Sequence, residues 1–195
     1  MVSAGDIGTF VRRLRGLSLV TRWNFHPRVT GETVDAHSFW VAIFAMILVD
    51  IHNEQAGFGQ TVNAESVLRH ALLHDAEEAI TADLPFLVKR EIKPHWRHVA
   101  EKAASQLFGN LEDYLIDWDG DGEQVRKIVK AADLFDVIHY ANYEATLGNA
   151  SFGEIRREAI TLLQGMNMRC VTLLLIEVFG NELCDTPLPE LMTHL

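Results

Sequence analysis

His74-Asp75-Ala76-Glu77-Glu78-Ala79-Ile80-Thr81-Ala82-Asp83-Leu84-Pro85 is the stretch on which the reading of this chain turns. A vicinal His-Asp pair is followed by acidic residues at helical spacing. On one continuous helix Glu78 would stand above both Asp75 (i+3) and His74 (i+4), so that three polar side chains converge. Glu77, offset from Glu78 by about 100°, would face away. Ala71, Leu72, Leu73, Ala76, Ala79 and Ile80 make the surroundings apolar, which predicts burial. Carboxylates and an imidazole taken into a core need a counter-charge, because an unpaired buried ion is costly. No Lys or Arg lies between Leu72 and Leu84. The residue types therefore call for a bound divalent cation.

Outward from that stretch, the chain reads as helix almost throughout. Ile7 to Leu19 alternates apolar and basic residues with amphipathic spacing. Thr21-Arg22-Trp23-Asn24-Phe25-His26-Pro27 is non-periodic and should be loop. Asp35 is placed to cap a long apolar helix from about Ala36 to His52, with His37 in its first turn. Gly57 and Gly59 mark a loop, and Asn63 caps the helix leading into His74-Asp75. The charged run Lys89 to Pro94 suggests a break before a helix from Trp96 to Leu107. Asp117 to Gly122 has the look of a calcium loop but lacks its glutamate in register, so it reads as an acidic turn. Glu123 to Leu147 carries an apolar stripe of Val125, Ile128, Val129, Ala132, Tyr140 and Tyr143, with Asp133 inside it and Asp136 one turn further. Glu154 to Phe179 reads as one further helix, and Thr186 to Leu195 as a tail. No strand is convincing, so the fold class is all-α.

Length and charge narrow the function. At 195 residues and 48% hydrophobic content, residues 1–195 suit a single domain with a sizeable core. A net charge of −10 disfavours nucleic acid and anionic membrane as partners, since both need a basic face. A small anionic substrate held by a few local cations remains compatible. Cys170 and Cys184 form no Cys-x-x-Cys pattern and read as ordinary thiols of a reducing compartment. No amino-terminal leader pattern and no 18-residue apolar window stands out, so a soluble, cytoplasmic protein is expected.

His37, His74, Asp75 and Asp133 come from three separate helices and offer two imidazole nitrogens and two carboxylates. Mixed N and O ligation suits one divalent ion such as Mn, Co or Zn, or Mg with more waters retained. Four protein ligands around a six-coordinate ion leave room for water and a substrate oxygen, which makes a hydrolytic centre. The order of these residues resembles the H…HD…D signature of the HD-domain metal-dependent phosphohydrolases. Arg22-Trp23, His37-Ser38, His74-Asp75-x-x-Glu78, Asp83-Leu84-Pro85 and Val129-Lys130-x-x-Asp133 together resemble the bacterial 5′-deoxynucleotidase branch and the related phage dATP triphosphohydrolases. The resemblance spans roughly Phe10 to Tyr143.

What the resemblance implies is an HD-domain helical bundle that hydrolyses 2′-deoxynucleotides at the 5′ phosphate ester. His37, His74, Asp75 and Asp133 would hold the metal. Glu78 and Asp83 would handle the protons of the attacking water and the leaving 5′-oxygen, spacing leaving open which does which. Arg22, Lys89 and Lys130 would meet phosphate, Trp23 would pack against the sugar at its 2′ edge, and Phe25 would line the base pocket. Ala36 departs from the pattern, because relatives often carry an acid before the first ligand histidine. An even-numbered homo-oligomer is the matching expectation. Monophosphate and triphosphate substrates stay open, and a catalytically silent regulatory or scaffold protein is the competing class. The remaining histidines, His26, His52, His70, His95, His98, His139 and His194, read as surface or capping residues.

Overall fold

The computed structural model describes residues 3–111, 115 and 122–180. Asp117 to Asp121, Cys184, His194 and the Thr186 to Leu195 tail lie outside the described residues. The architecture is helical, as the periodicity predicts, with one isolated bridge between Thr21 and Thr33. In chain order the helices are α1 (Ala4–Leu14), α2 (Val34–Gln55), α3 (Ala64–Leu73), α4 (Glu78–Thr81), α5 (Phe86–Glu91), α6 (Lys93–Phe108), α7 (Glu123–Thr146), α8 (Gly153–Gly165) and α9 (Arg169–Phe179).

The core forms where α2 lies along α7 and α3, with α8 and α9 closing its far side. Val41, Ala45, Leu48 and Val49 of α2 meet Ile128, Ala132, Phe135 and Ile138 of α7, all essentially removed from water. Burying a side chain of that size is worth about 1.5–3 kcal/mol. A second apolar cluster joins Phe10 of α1 to Ala76, Leu107, Phe108 and Leu111 and thereby fixes the corner after α3. By composition α2 is long and apolar enough to cross a membrane, with a mean hydropathy of 1.7, contrary to the expectation that no such window occurs. Half of that window is buried within the protein, as befits the central helix of a bundle.

Several sequence expectations change at helix ends. The cap of α2 is Thr33 rather than Asp35, and the helix starts two residues early because Val34 is fully buried and bonds to Val20. Asp35 instead accepts from the Thr33 hydroxyl and the Ala36 amide. The first amphipathic segment is α1 followed by a 3₁₀ turn over Arg15–Leu19. Asn63 does cap α3, its side chain accepting from the Glu65 and Ser66 amides. The charged run after Pro85 is helical up to Glu91, and the break falls at Ile92. The last predicted helix is two, separated at Met166 to Met168, where Asn167 adopts a positive φ of 51°. Tyr143 is exposed although it lies on the predicted stripe, and His70 is buried although it was expected at the surface.

Candidate active site

The decisive correction concerns His74 to Glu78. α3 stops at Leu73 and the chain turns before α4 begins at Glu78. Amides here bond three residues back: Ala76 to Leu73, Glu78 to Asp75 and Ala79 to Ala76. Under that tighter winding, residues three apart eclipse, so Glu78 aligns with Asp75 rather than standing above both members of the pair. The His74 ring completes the helix end, its Nδ1 lying 2.8 Å from the Ala71 carbonyl. That contact leaves Nε2 turned away from its own helix.

Three helices then converge. His37 Nε2 of α2 lies 3.7 Å from Asp75 Oδ2 and 3.4 Å from Asp133 Oδ1 of α7. His74 Nε2 lies 3.2 Å from Asp75 Oδ2, and the two imidazole centroids are 5.2 Å apart. Ligating atoms of His37, His74 and Asp133 all fall within 4.8 Å of one another. Both Nε2 atoms are buried and have no hydrogen-bond partner. Two unpartnered imidazole nitrogens facing two carboxylates form a donor set that suits a divalent cation. Electrostatics agree. Burial opposes charge on His74, yet Asp75 beside it overcomes that and raises the imidazole above its ordinary value. Burial likewise opposes the carboxylates of Asp75 and Asp133, but His74 and His37 hold Asp75 far down, and His37 with Lys130 holds Asp133 down.

Glu78, Asp83 and Lys89 sit together beside this cluster. Lys89 Nζ lies 2.5 Å from Glu78 Oε1 and 3.9 Å from Asp83 Oδ1, and over the Trp96 ring at 5.5 Å. Glu78 Oε2 is buried without a partner. Burial, then the charge of Asp75, pushes the Glu78 carboxyl up despite Lys89. Asp83 is also raised by burial. Ala82, immediately before Asp83, holds φ 59° and ψ 168°, a backbone region that residues with a Cβ rarely occupy. Lys130 Nζ lies 2.6 Å from Asp133 Oδ2, so the carboxylate turns its other oxygen to His37.

On the other side of His37, Arg22 is only 12% exposed. Its Nη1 is 2.7 Å from Glu32 Oε2 and 3.6 Å from Asp136 Oδ2. Glu32, His37 and Asp136 could by proximity hold a second metal, but the guanidinium already supplies positive charge there. Trp23, at φ 62°, donates from Nε1 to Glu32 and stacks on Tyr140 at 5.6 Å, with Phe152 edge-on. Phe25 is 76% exposed. Two residues that sequence reasoning passed over complete the picture. Asp136 is placed by its spacing to follow Asp133 on the same helical face, a signal that was readable. Glu32 lies in a loop with no periodic pattern and gave none.

A helical bundle carrying this His, His-Asp and Asp constellation defines the HD-domain class of metal-dependent phosphohydrolases. Within that class, the chain belongs to the YfbR-like 5′-deoxynucleotidase family, whose model matches residues 9–182. The 5′-deoxynucleotidase of Citrobacter koseri is 33% identical over 153 residues, covering 73% of this chain and 76% of that protein. The 5′-deoxynucleotidase YfbR of Salmonella paratyphi B is 32% identical over 154 residues, covering 74% and 76%. Among solved structures, an HD-domain phosphohydrolase from Listeria innocua superposes with a TM-score of 0.77 at 22% identity, covering 92% of this chain and 90% of that one. A Pyrococcus horikoshii protein gives 0.69 at 19% identity, covering 88% and 95%. These two structural likenesses bear on the fold alone.

Proposed function

We propose that the protein hydrolyses 2′-deoxynucleoside 5′-monophosphates, releasing the deoxynucleoside and inorganic phosphate. The observation that carries this reading is the pair of buried, unpartnered Nε2 atoms of His37 and His74 facing Asp75 and Asp133. The activity named for the family and its relatives, 5′-deoxynucleotidase, supports a deoxynucleotide substrate. In this reading His37, His74, Asp75 and Asp133 hold one divalent ion. When bound, such an ion lowers the pKa of water and screens charge on phosphoryl oxygens.

The protein's own groups do the rest. Water forms the new P–O bond, the bond from phosphorus to the 5′-oxygen breaks, and that oxygen takes a proton. Glu78 and Asp83 divide the two proton transfers, and Lys89 between them keeps both carboxyls oriented. Lys89 and Lys130 meet the phosphate, with Arg22 contributing whatever donors its pairing with Glu32 leaves over. Trp23, fixed between Tyr140 and Phe152, forms the wall at the sugar's 2′ edge, and Phe25 covers the base. A silent scaffold protein would have no use for two unpartnered histidine nitrogens in its interior. We further assign a cytoplasmic enzyme acting as an even-numbered homo-oligomer. Support for the assembly comes from the exposed, mutually packed rings of Phe39 and Trp40.

The test is to incubate the purified protein with each deoxynucleoside mono- and triphosphate and the matching ribonucleotides, plus Mn or Co, and to separate the products. Phosphate and deoxynucleoside from the monophosphate, with little from the ribonucleotide, is the expected result. Triphosphate as product would replace the monophosphatase reading, and no release from any of them would end it.

A further inference from the structure

The residue before His37 is an alanine, so nothing adjacent in sequence orients that imidazole. A carboxylate reaches it from another helix instead. Asp136 of α7 is 1% exposed, and its Oδ2 lies 2.6 Å from His37 Nδ1. We propose that Asp136 is a positioning residue for His37: it accepts the Nδ1 proton and so leaves the Nε2 lone pair facing Asp75, Asp133 and His74. The inference rests on the reading of His37 as a metal ligand.

The argument is one of donors and acceptors. A neutral imidazole carries its proton on one nitrogen only, and the hydrogen bond made by the other face decides which. With Asp136 Oδ2 as the acceptor, the role that Arg22 at 3.6 Å favours, the 2.6 Å contact puts the ring proton on Nδ1. Only then does Nε2 offer an electron pair. The ring, fully buried on α2, is thereby fixed in rotation as well as in tautomer.

Asp136 is itself held in place. Arg22 Nη1 lies 3.6 Å from the same Oδ2 and 2.7 Å from Glu32 Oε2, and Trp23 Nε1 donates to that Glu32 oxygen at 3.0 Å. The backbone ties the arrangement down, because Arg22 N donates to Glu32 O at 2.9 Å and Val34 N to Val20 O at 3.0 Å. The loop entering α2 thus positions Arg22, which steadies Asp136, which orients His37.

Two measurements on the full chain test this. In metal-free protein, once pH has been raised until the His37 ring is seen to lose its second proton, imidazole ¹⁵N shifts should show it protonated on Nδ1 and bare on Nε2. The opposite tautomer overturns the proposal without any variant being needed. Asp136→Asn, whose amide can donate to the ring, should move the proton to Nε2 and weaken Mn(II) binding by about 10- to 100-fold, the usual cost of losing such a partner. Mn(II) is titrated with detection of the free ion, and circular dichroism verifies the fold. Unchanged Mn(II) affinity in a folded Asp136→Asn protein also overturns it. If Asp136→Asn fails to fold, the wild-type tautomer decides alone. Failure of the wild-type protein to bind Mn(II) would instead remove the metal assignment under the proposed function, while the tautomer measurement still judges Asp136.

Discussion

Glu78 and Glu144 are the same side chain, equally withdrawn from water at 1% and 0% exposure, yet their surroundings treat them in opposite ways. Both oxygens of Glu144 are fully used. Val29 N and Asn149 Nδ2 donate to Oε2 at 2.7 and 2.6 Å, while Thr30 N and Oγ1 donate to Oε1 at 2.7 and 2.6 Å. Burial works against its charge, but these donors prevail and hold the carboxyl at about 2. Glu78 has one oxygen on Lys89 and the other on nothing, and burial with Asp75 pushes it upward. A saturated carboxylate fastens the 27–30 loop to α7. In the proposed function the half-saturated one moves a proton; a buried polar atom without a partner costs about 1–3 kcal/mol, so its retention calls for a reason.

The largest test of that contrast is Glu78→Gln. Losing a group that moves a proton in the transition state should lower phosphate release by about 100- to 10,000-fold. The thermal midpoint should move far less than in Glu144→Ala, because glutamine keeps an oxygen acceptor for Lys89 and Lys89 keeps Asp83. Equal losses of activity and stability would erase the distinction between the two glutamates. Glu144→Ala should do the reverse. Breaking a buried network of this kind should destabilise the protein by on the order of 3 kcal/mol in denaturant titration, with bound Mn(II) per folded chain unchanged.

Protons provide a finer probe. Glu144 titrates near 4.5 in an unfolded chain and at about 2 in the folded one. Its contribution is therefore complete above pH 4.5 and drains away as pH falls from there toward 2. Glu78 runs the other way in the metal-free protein, because a raised folded value makes the folded state bind its proton more tightly. Its contribution is present at low pH and is lost as pH rises through the raised value. The stability difference between wild type and Glu144→Gln should accordingly shrink below pH 4.5. A difference independent of pH between 2 and 5 would show that the hydrogen bonds, and not the charge, fasten the loop.

How far each region was legible in sequence follows from the same physics. His37, His74, Asp75 and Asp133 interrupt apolar helical stripes, and a polar residue on a buried face announces itself at the level of periodicity. The bundle was legible for the same reason. Glu144 gave no such notice, because its partners Val29 and Thr30 lie more than a hundred residues away in a loop without pattern. The break after Leu73 was hidden because His74 keeps helical dihedrals, φ −63° and ψ −28°, so that propensity continues across the corner. The second break was readable in principle: Gly165 and Asn167 are both residues that end helices, and Asn tolerates positive φ.

Strain extends the contrast from side chains to backbone. Among the described residues other than glycine, Trp23, Ala82 and Asn167 have positive φ. Two of the three adjoin the site, Trp23 beside Arg22 and Ala82 beside Asp83, whereas the segment around Glu144 has none. A Cβ in the conformation of Ala82 costs of order 1–3 kcal/mol, and it is carried immediately before Asp83, whose Oδ1 lies 3.9 Å from Lys89 Nζ. Glycine adopts that conformation freely but loses more entropy on folding, roughly 0.4–1 kcal/mol relative to alanine. Ala82→Gly should therefore raise stability by only about 1 kcal/mol in denaturant titration. The smallness of the effect makes its companion readout useful. If the strain serves to hold Asp83 in one place, the more permissive glycine should lower turnover with monophosphate several-fold while leaving Mn(II) affinity alone. A variant that is more stable and fully active would mean that the strained residue does not position Asp83, and that only the unpaired atoms of His37, His74 and Glu78 separate the two regions.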